Sequence, residues 1–298
     1  MKPRRSITRR EFIKGASAAA IAGPLLLSAQ ERTAPAPAGK SRVVLLRDLN
    51  VLDENGQPRP EVVQEMLDTG LRTLTGKADP QSAWKSIIKP DDIVGIKNNR
   101  WGYLQTTPQV QNALKKRVLE AGVKESNVAI DDLGVLQNPV FLKSTALINA
   151  RPLRSHHWAG VGSLIKNYIM FIPEPLSIHP DSCADLASIW DLPVVKGKTR
   201  LNVLVMFTPQ FHSFGPHSFN PKYVWKYHGL LMGFDPVAVD ATGLRILEAI
   251  RRDYFGDDRP LNPPAKHIAI ADTKYHLGTA DPEKIELVKI GYDKDIFV

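Results

Sequence analysis

The sequence predicts an α/β fold, a single domain with a mostly parallel, mixed sheet flanked by helices. Three observations predict it. Short β-branched runs alternate with helical periods from residue 41 to residue 131. Thr107-Pro108 and Asp235-Pro236 mark helix starts, and Gly122 marks a stop. Apolar runs at 201–207 and 229–234 have the length of buried strands.

The elements follow in order. SRVVLLRD, 41–48, reads as a buried strand, and NGQPRP reads as a turn. Residues 61–75 place Val62, Val63, Met66, Leu67, Leu71 and Leu74 at helical spacing. AWKSII is a short helix that Pro90 stops. DIVGIK, 92–97, is the second strand and NNRWG the loop after it. Residues 108–121 form a helix, and NVAID, 127–131, is the third strand. TALINA, 145–150, is a further strand, followed by helices at 160–171 and 181–190. LNVLVMF and GLLMGF are strands, 236–251 is a helix capped by Asp235, and HIAIA and KIELVKI are two short closing strands. No internal repeat is present.

The N-terminus reads as an export signal. TRREFIK, 8–14, followed by the small-residue apolar run 15–29, resembles a twin-arginine motif with Ile13 in place of the commoner leucine. The run is shorter than the ~20 residues of a spanning helix, so no membrane span is expected in the mature form. The expected organisation is a signal peptide over 1–29, a Pro/Ala-rich leader over 30–42 and the α/β domain over 43–298. The expected partner is the twin-arginine translocase, and the expected location is periplasmic or otherwise extracytoplasmic.

The net charge of +8 is concentrated at that terminus. Six basic residues against Glu11 within 1–14 account for five of the eight charges, which leaves three. So small an excess offers no basic stripe for nucleic acid. The single cysteine, Cys183, excludes an internal disulfide and a cysteine-ligated iron–sulfur cluster.

In open α/β sheets, ligands lie beyond the carboxyl ends of the strands. That rule nominates Lys97 and Asn99 after the second strand, and Asp131 and Asp132 after the third. Arg151, Arg154, His156 and His157 follow the fourth, and His212 and His217 follow the run at 201–207. In RSHHWAGVGSLIKN, Gly160 and Gly162 are read as opening a helix whose N–H groups hold an anion, with Lys166 and Asn167 one turn on. The site list is His156, Lys166 and Lys97 as catalytic groups. Asn99, Asn167, Gly160, Gly162 and Arg154 bind ligand, and Asp131, Asp132, His212 and His217 are metal candidates. Structural roles stay open beside these: Lys97 as a strand-end lysine, the aspartates as turn caps, and the histidines as packed core groups.

VGIKNN, TTPQVQNALKKRVLEAGV, NVAIDD, LINARPLRSHHWAGVGSLIKN and GLLMGFDPVAVDATGLRIL together resemble the domain-of-unknown-function 362 family over residues 43–252. Its pattern includes a strand ending in Lys-x-Asn, a Gly-x-x-Lys-Asn element and an Asp-Pro-Val-Ala-x-Asp helix. The resemblance marks Lys97, Asn99, His156, Lys166, Asn167, Asp235 and Asp240. Arg154 or Leu153 stands near a usual lysine, and FHSFGPHSFNPKY replaces a usual Gly-rich stretch. Family members are sometimes joined to iron–sulfur ferredoxin modules, a role one cysteine does not support. The expected function is an exported enzyme acting on a small anionic substrate, with a divalent metal or inserted cofactor as an option. The alternatives are a small-ligand binding protein and a non-catalytic partner of an exported redox enzyme.

Overall fold

The computed structural model describes residues 39–213 and 219–298. The expected signal peptide, most of the leader and His217 lie outside the described residues. The eight strands are β1 (Ser41–Arg47), β2 (Val94–Lys97), β3 (Val128–Asp131), β4 (Ala146–His156), β5 (Gly160–Gly162), β6 (Thr199–Gln210), β7 (Gly229–Gly233) and β8 (Ile285–Gly291). They form one sheet in the order β3-β2-β4-β6-β7-β1-β8, with β5 paired to β4. The pairs β3–β2, β2–β4, β4–β6 and β1–β8 are parallel, while β7 runs against both β6 and β1. The carboxyl ends of β2, β3, β4 and β6 therefore share one edge.

Alternation along the strands divides the core into two layers. Val44 and Leu46, with Ile148, Val203 and Met232, pack under helices α1 (Pro60–Thr75), α2 (Pro80–Ile87) and α3 (Pro108–Glu120). Val43 and Leu45, with Leu147, Leu204 and Leu231, face the opposite layer. That layer holds the short α5 (Leu164–Asn167), the long α6 (Pro236–Phe255) and α7 (Lys266–Thr273). A fourth short helix, α4 (Pro139–Leu142), sets Phe141 against Gly95 of β2, where an added Cβ would come within 2.8 Å of the ring. Each fully buried Leu in these layers stabilises the fold by roughly 1.5–3 kcal/mol before entropy is counted. No described helix is long and apolar enough to cross a membrane.

The helix starts behave as their residues demand. The Asp235 carboxylate accepts from the amides of Val237 and Ala238 and caps α6, while Gly76 and Gly256 close α1 and α6 with left-handed conformations. Thr107 precedes α3 without a side-chain cap bond.

Four elements differ from the sequence expectation. Residues 160–171 do not form one helix. Gly160, at φ +70°, turns the chain so that Gly160–Gly162 pairs back onto β4 as β5, and the one-turn α5 and a 3-10 turn at Tyr168–Phe171 follow. Residues 181–190 are likewise not one helix, because Asp181, Ser182 and Cys183 all have left-handed φ and a 3-10 stretch follows at Leu186–Asp191. HIAIA is helical, within α7, and its buried side chains His267, Ile268 and Ala271 fall at helical spacing. The fourth strand runs on to His156, through Pro152. The β4–β6 register shifts between Pro152 and Arg154, an irregularity of the kind that lets a residue without an N–H sit inside a sheet.

Candidate anion-binding site

The site grows from unequal strand lengths. Lys97 ends β2 and pairs in register with Asn149, whereas β4 continues for seven residues, from Ala150 to His156. This overhang, with β6 alongside it to Gln210, forms a wall above the shorter strands and carries Arg151, Arg154 and His156. Strand β5 folds back on the wall, and α5 returns the chain across the strand ends.

A row of buried asparagines fixes that return. Asn167 Nδ2 donates to Lys97 O at 3.2 Å and to Asn149 Oδ1 at 2.8 Å. Asn149 Nδ2 donates to Leu164 O and to Asn202 Oδ1, and Asn202 Nδ2 donates to Phe234 O. The row ties β2, β4 and β6 to α5. Asn167 thus uses its donors within the fold, while its Oδ1 has no partner.

The N-terminus of α5 is occupied by the protein itself. Asp240, fully buried on α6, accepts from Ser163 Oγ at 2.7 Å, Leu164 N at 2.9 Å and Ile165 N at 2.8 Å. The expected ligand cradle at a helix opened by Gly160 and Gly162 is therefore corrected: both glycines lie in a strand, and Asp240 takes the free amides. Gly160 instead abuts the backbone of Pro263–Ala265, where a Cβ would come within 2.6 Å of Pro263 O. At Gly162 a Cβ would lie 2.8 Å from the Arg151 Nη2 atom. These two glycines make a paired prediction. Gly160→Ala combines a left-handed φ with a backbone clash and should destabilise the fold by about 1–3 kcal/mol in urea denaturation. Gly162→Ala meets only the end of a flexible side chain, so it should cost less stability and instead weaken anion affinity by moving Arg151.

Arg151 is the centre of the site. It is buried, its Nε has no hydrogen-bond partner, and among the described residues it forms no ion pair. Its charge is felt by Lys97, Arg154, His156, Lys166 and His267. The structure thus gathers Lys97, Arg154, His156 and Lys166 about one guanidinium. Lys97 is clamped by Asp132 Oδ1 and by Asn98 O at 2.8 Å, and Asp132 Oδ2 also accepts from Arg100 N. Arg154 donates to Asn99 Oδ1 at 2.9 Å and lies 4.3 Å above the Trp101 ring, but its Nε is unpartnered. Lys166 Nζ lies 3.3 Å from His179 Nε2 and 3.6 Å from Cys183 Sγ. His156 Nδ1 accepts from Trp158 N at 3.2 Å.

Charge balance follows. Lys97, Arg151, Arg154 and Lys166 are buried with only two buried carboxylates, Asp132 and Asp240, so two positive charges are unmatched. Burial, which disfavours charge, pushes both lysines down to about 8 and Arg151 to about 10, holds Arg154 well below its usual value, and raises Asp240 to about 6. Burial first, then the nearby cations, drives His156 far down and His267 to about 3, so both are neutral imidazoles. Neither nitrogen of His267 and neither amide atom of Gln210, which pairs in register with Arg154, has a partner.

The described metal candidates make other contacts. Asp132 pairs with Lys97. Asp131 caps its own turn, accepting from Asp132 N, Gly134 N and Asn138 Nδ2. His212 packs edge-on against Tyr223 and Phe255, beside Arg251. Among the described residues no group of three or more His, Cys, Asp or Glu is placed to hold a metal.

A buried lysine–asparagine element beneath a strand overhang, locked by a helix carboxylate, lies almost wholly in one segment. Residues 122–245 match the model described as Domain of unknown function (DUF362). No curated protein and no solved structure matches the chain. The DUF362 match is narrower than the resemblance read over 43–252. It includes Asp132, Arg151, Arg154, His156, Lys166, Asn167 and Asp240, and it leaves Lys97 and Asn99 on its N-terminal side. Arg151, Asn149, Asn202, His179 and His267 are absent from the sequence-derived site list. The strand-end rule names Arg151 after the expected strand 145–150, but β4 runs on through it, so it lies within the strand and not beyond its end. The DUF362 segment contains both the clamp on α5 and the overhang of β4.

Proposed function

We propose that this chain is an exported enzyme that binds a small anionic substrate, carboxylate or phosphate, over Arg151 at the carboxyl edge of β2, β4 and β6. The observation that carries the reading is buried Arg151, whose Nε has no hydrogen-bond partner and which forms no ion pair among the described residues. An unpaired buried cation costs several kcal/mol, and a protein retains one where an anion completes it. Arg154 and the two lysines add charge-assisted donors, and the planar fork of Arg suits an oxyanion. The Lys166 amine beside His179 supplies a group capable of proton transfer, which favours turnover over simple sequestration. Export through the twin-arginine translocase to an extracytoplasmic site rests on Thr8–Lys14 and the apolar run behind it.

Titration calorimetry with inorganic phosphate and with small mono- and dicarboxylates tests the reading. At least one of these anions should bind at pH 7, and affinity should fall between pH 7 and pH 9. The sign follows from both lysines, which hold their protons below about 8 and lose them above it, so the site sheds positive charge as pH rises. No binding by any of these anions at pH 7, or affinity that rises with pH, overturns the reading.

A further inference from the structure

The two buried lysines of the site are chemically different. Lys97 is held on both sides, donating to the Asp132 carboxylate and to the Asn98 carbonyl. Lys166 has no carboxylate partner among the described residues. Its neighbours are an imidazole nitrogen, His179 Nε2, and the thiol of Cys183. Around it stand Arg151, Arg154 and the neutral His156 and His267, none of which favours a charged amine. The backbone beneath it is fixed at both ends of α5, by Asp240 at the start and by the Asn167–Asn149 pair at the finish. The Trp158 ring lies 4.4 Å from that of His179, and both rings are partly exposed, so the wall over Lys166 reaches solvent. A nucleophile fixed in place, without a carboxylate partner and beside a base and a buried guanidinium whose Nε is unpartnered, has the parts of an imine-forming site.

We propose that Lys166 forms a Schiff base with the carbonyl carbon of a small oxo acid whose carboxylate is held by Arg151. The inference rests on the anion-binding reading and names its substrate class. The neutral amine adds to the carbonyl carbon, forming the C–N bond and sending the π pair to oxygen. His179 Nε2 takes the proton that leaves nitrogen and returns it to the oxygen. With a second proton from nitrogen the oxygen leaves as water and the C=N bond closes. The balance is one amine and one carbonyl giving one imine and one water, with no oxidant or reductant. Burial raises the Cys183 thiol, so it stays protonated and does not compete as a thiolate. The amine is free above about pH 8, so imine formation increases with pH where anion affinity decreases.

The test is reductive trapping. The full chain is incubated with pyruvate or 2-oxoglutarate and borohydride, and adducts are located by peptide mass mapping. The expected result is a stoichiometric adduct on Lys166 in the unmodified protein, with a trapping rate that climbs between pH 6 and pH 8. Lys166→Met should lower adduct yield by at least about tenfold, and His179→Gln should slow trapping. Mapping the unmodified chain locates the adduct even if a variant fails to fold. Phosphate binding without any oxo-acid adduct, or adducts spread over surface lysines and equal in Lys166→Met, overturns the Schiff base and leaves the anion site standing. Loss of phosphate binding as well removes both.

Discussion

Replacing Arg151 with methionine should lower the affinity for the bound anion roughly 10- to 100-fold, and should leave the fold at least as stable as before. The first effect follows from losing a charge-assisted pair of hydrogen bonds, about 1.5–3 kcal/mol, at about 1.4 kcal/mol per tenfold. The second follows from burial. Arg151 is 3% exposed and forms no ion pair among the described residues, although it feels Asp132 and Asp240, so its removal takes away a desolvation penalty of several kcal/mol, while methionine retains much of the apolar stem. Most substitutions of a large buried residue destabilise. Affinity lost together with stability gained is the signature of a group kept for its ligand. Calorimetry with phosphate and a urea denaturation curve read the two effects separately. A variant that unfolds more easily by several kcal/mol would show that Arg151 serves the scaffold.

Asp240→Ala should do the reverse and destabilise the protein by about 3–5 kcal/mol. The carboxylate accepts three hydrogen bonds at the start of α5, and its loss leaves Leu164 N, Ile165 N and Ser163 Oγ buried without an acceptor. It also removes one of the two carboxylates that offset four buried cations. Asp240→Asn keeps an acceptor oxygen and should recover part of the loss. The urea midpoints of the two variants decide the matter, since equal midpoints would mean that capping contributes little and charge balance dominates.

The legible parts of this chain were those with local grammar. β1, β2 and β3 are β-branched runs bounded by turn residues, and Asp235-Pro236 and Gly122 announce helix ends in neighbouring positions. The strand-end rule then led directly to Lys97, Asn99, Arg154 and His156. The illegible parts depend on distant partners. Strand β5 is three residues long, too short to show a period, and exists because β4 overhangs. Asp240 sits on the buried face of a helix, 76 positions from the amide of Leu164 that it caps; the Asp-Pro-Val-Ala-x-Asp pattern marks it, but nothing in the sequence shows what it caps. HIAIA alternates as a strand does, but buries His267 and Ala271 one helical turn apart. Cys183 and His179, far apart in character, meet at one amine only because three left-handed residues bend the chain back.

Strand β7, antiparallel to both of its neighbours, partitions the sheet into two territories. On one side, β3, β2, β4 and β6 present a common rim that carries Lys97, Arg151 and His156; on the other, β1 ends at Arg47, in register with Gly291 of β8, and the Arg47 guanidinium is spent on the carbonyls of Tyr227 and Lys294. The tail is stitched to the first strand there, so a change at Arg47 loosens the C-terminal packing on a flank that β7 separates from Arg151.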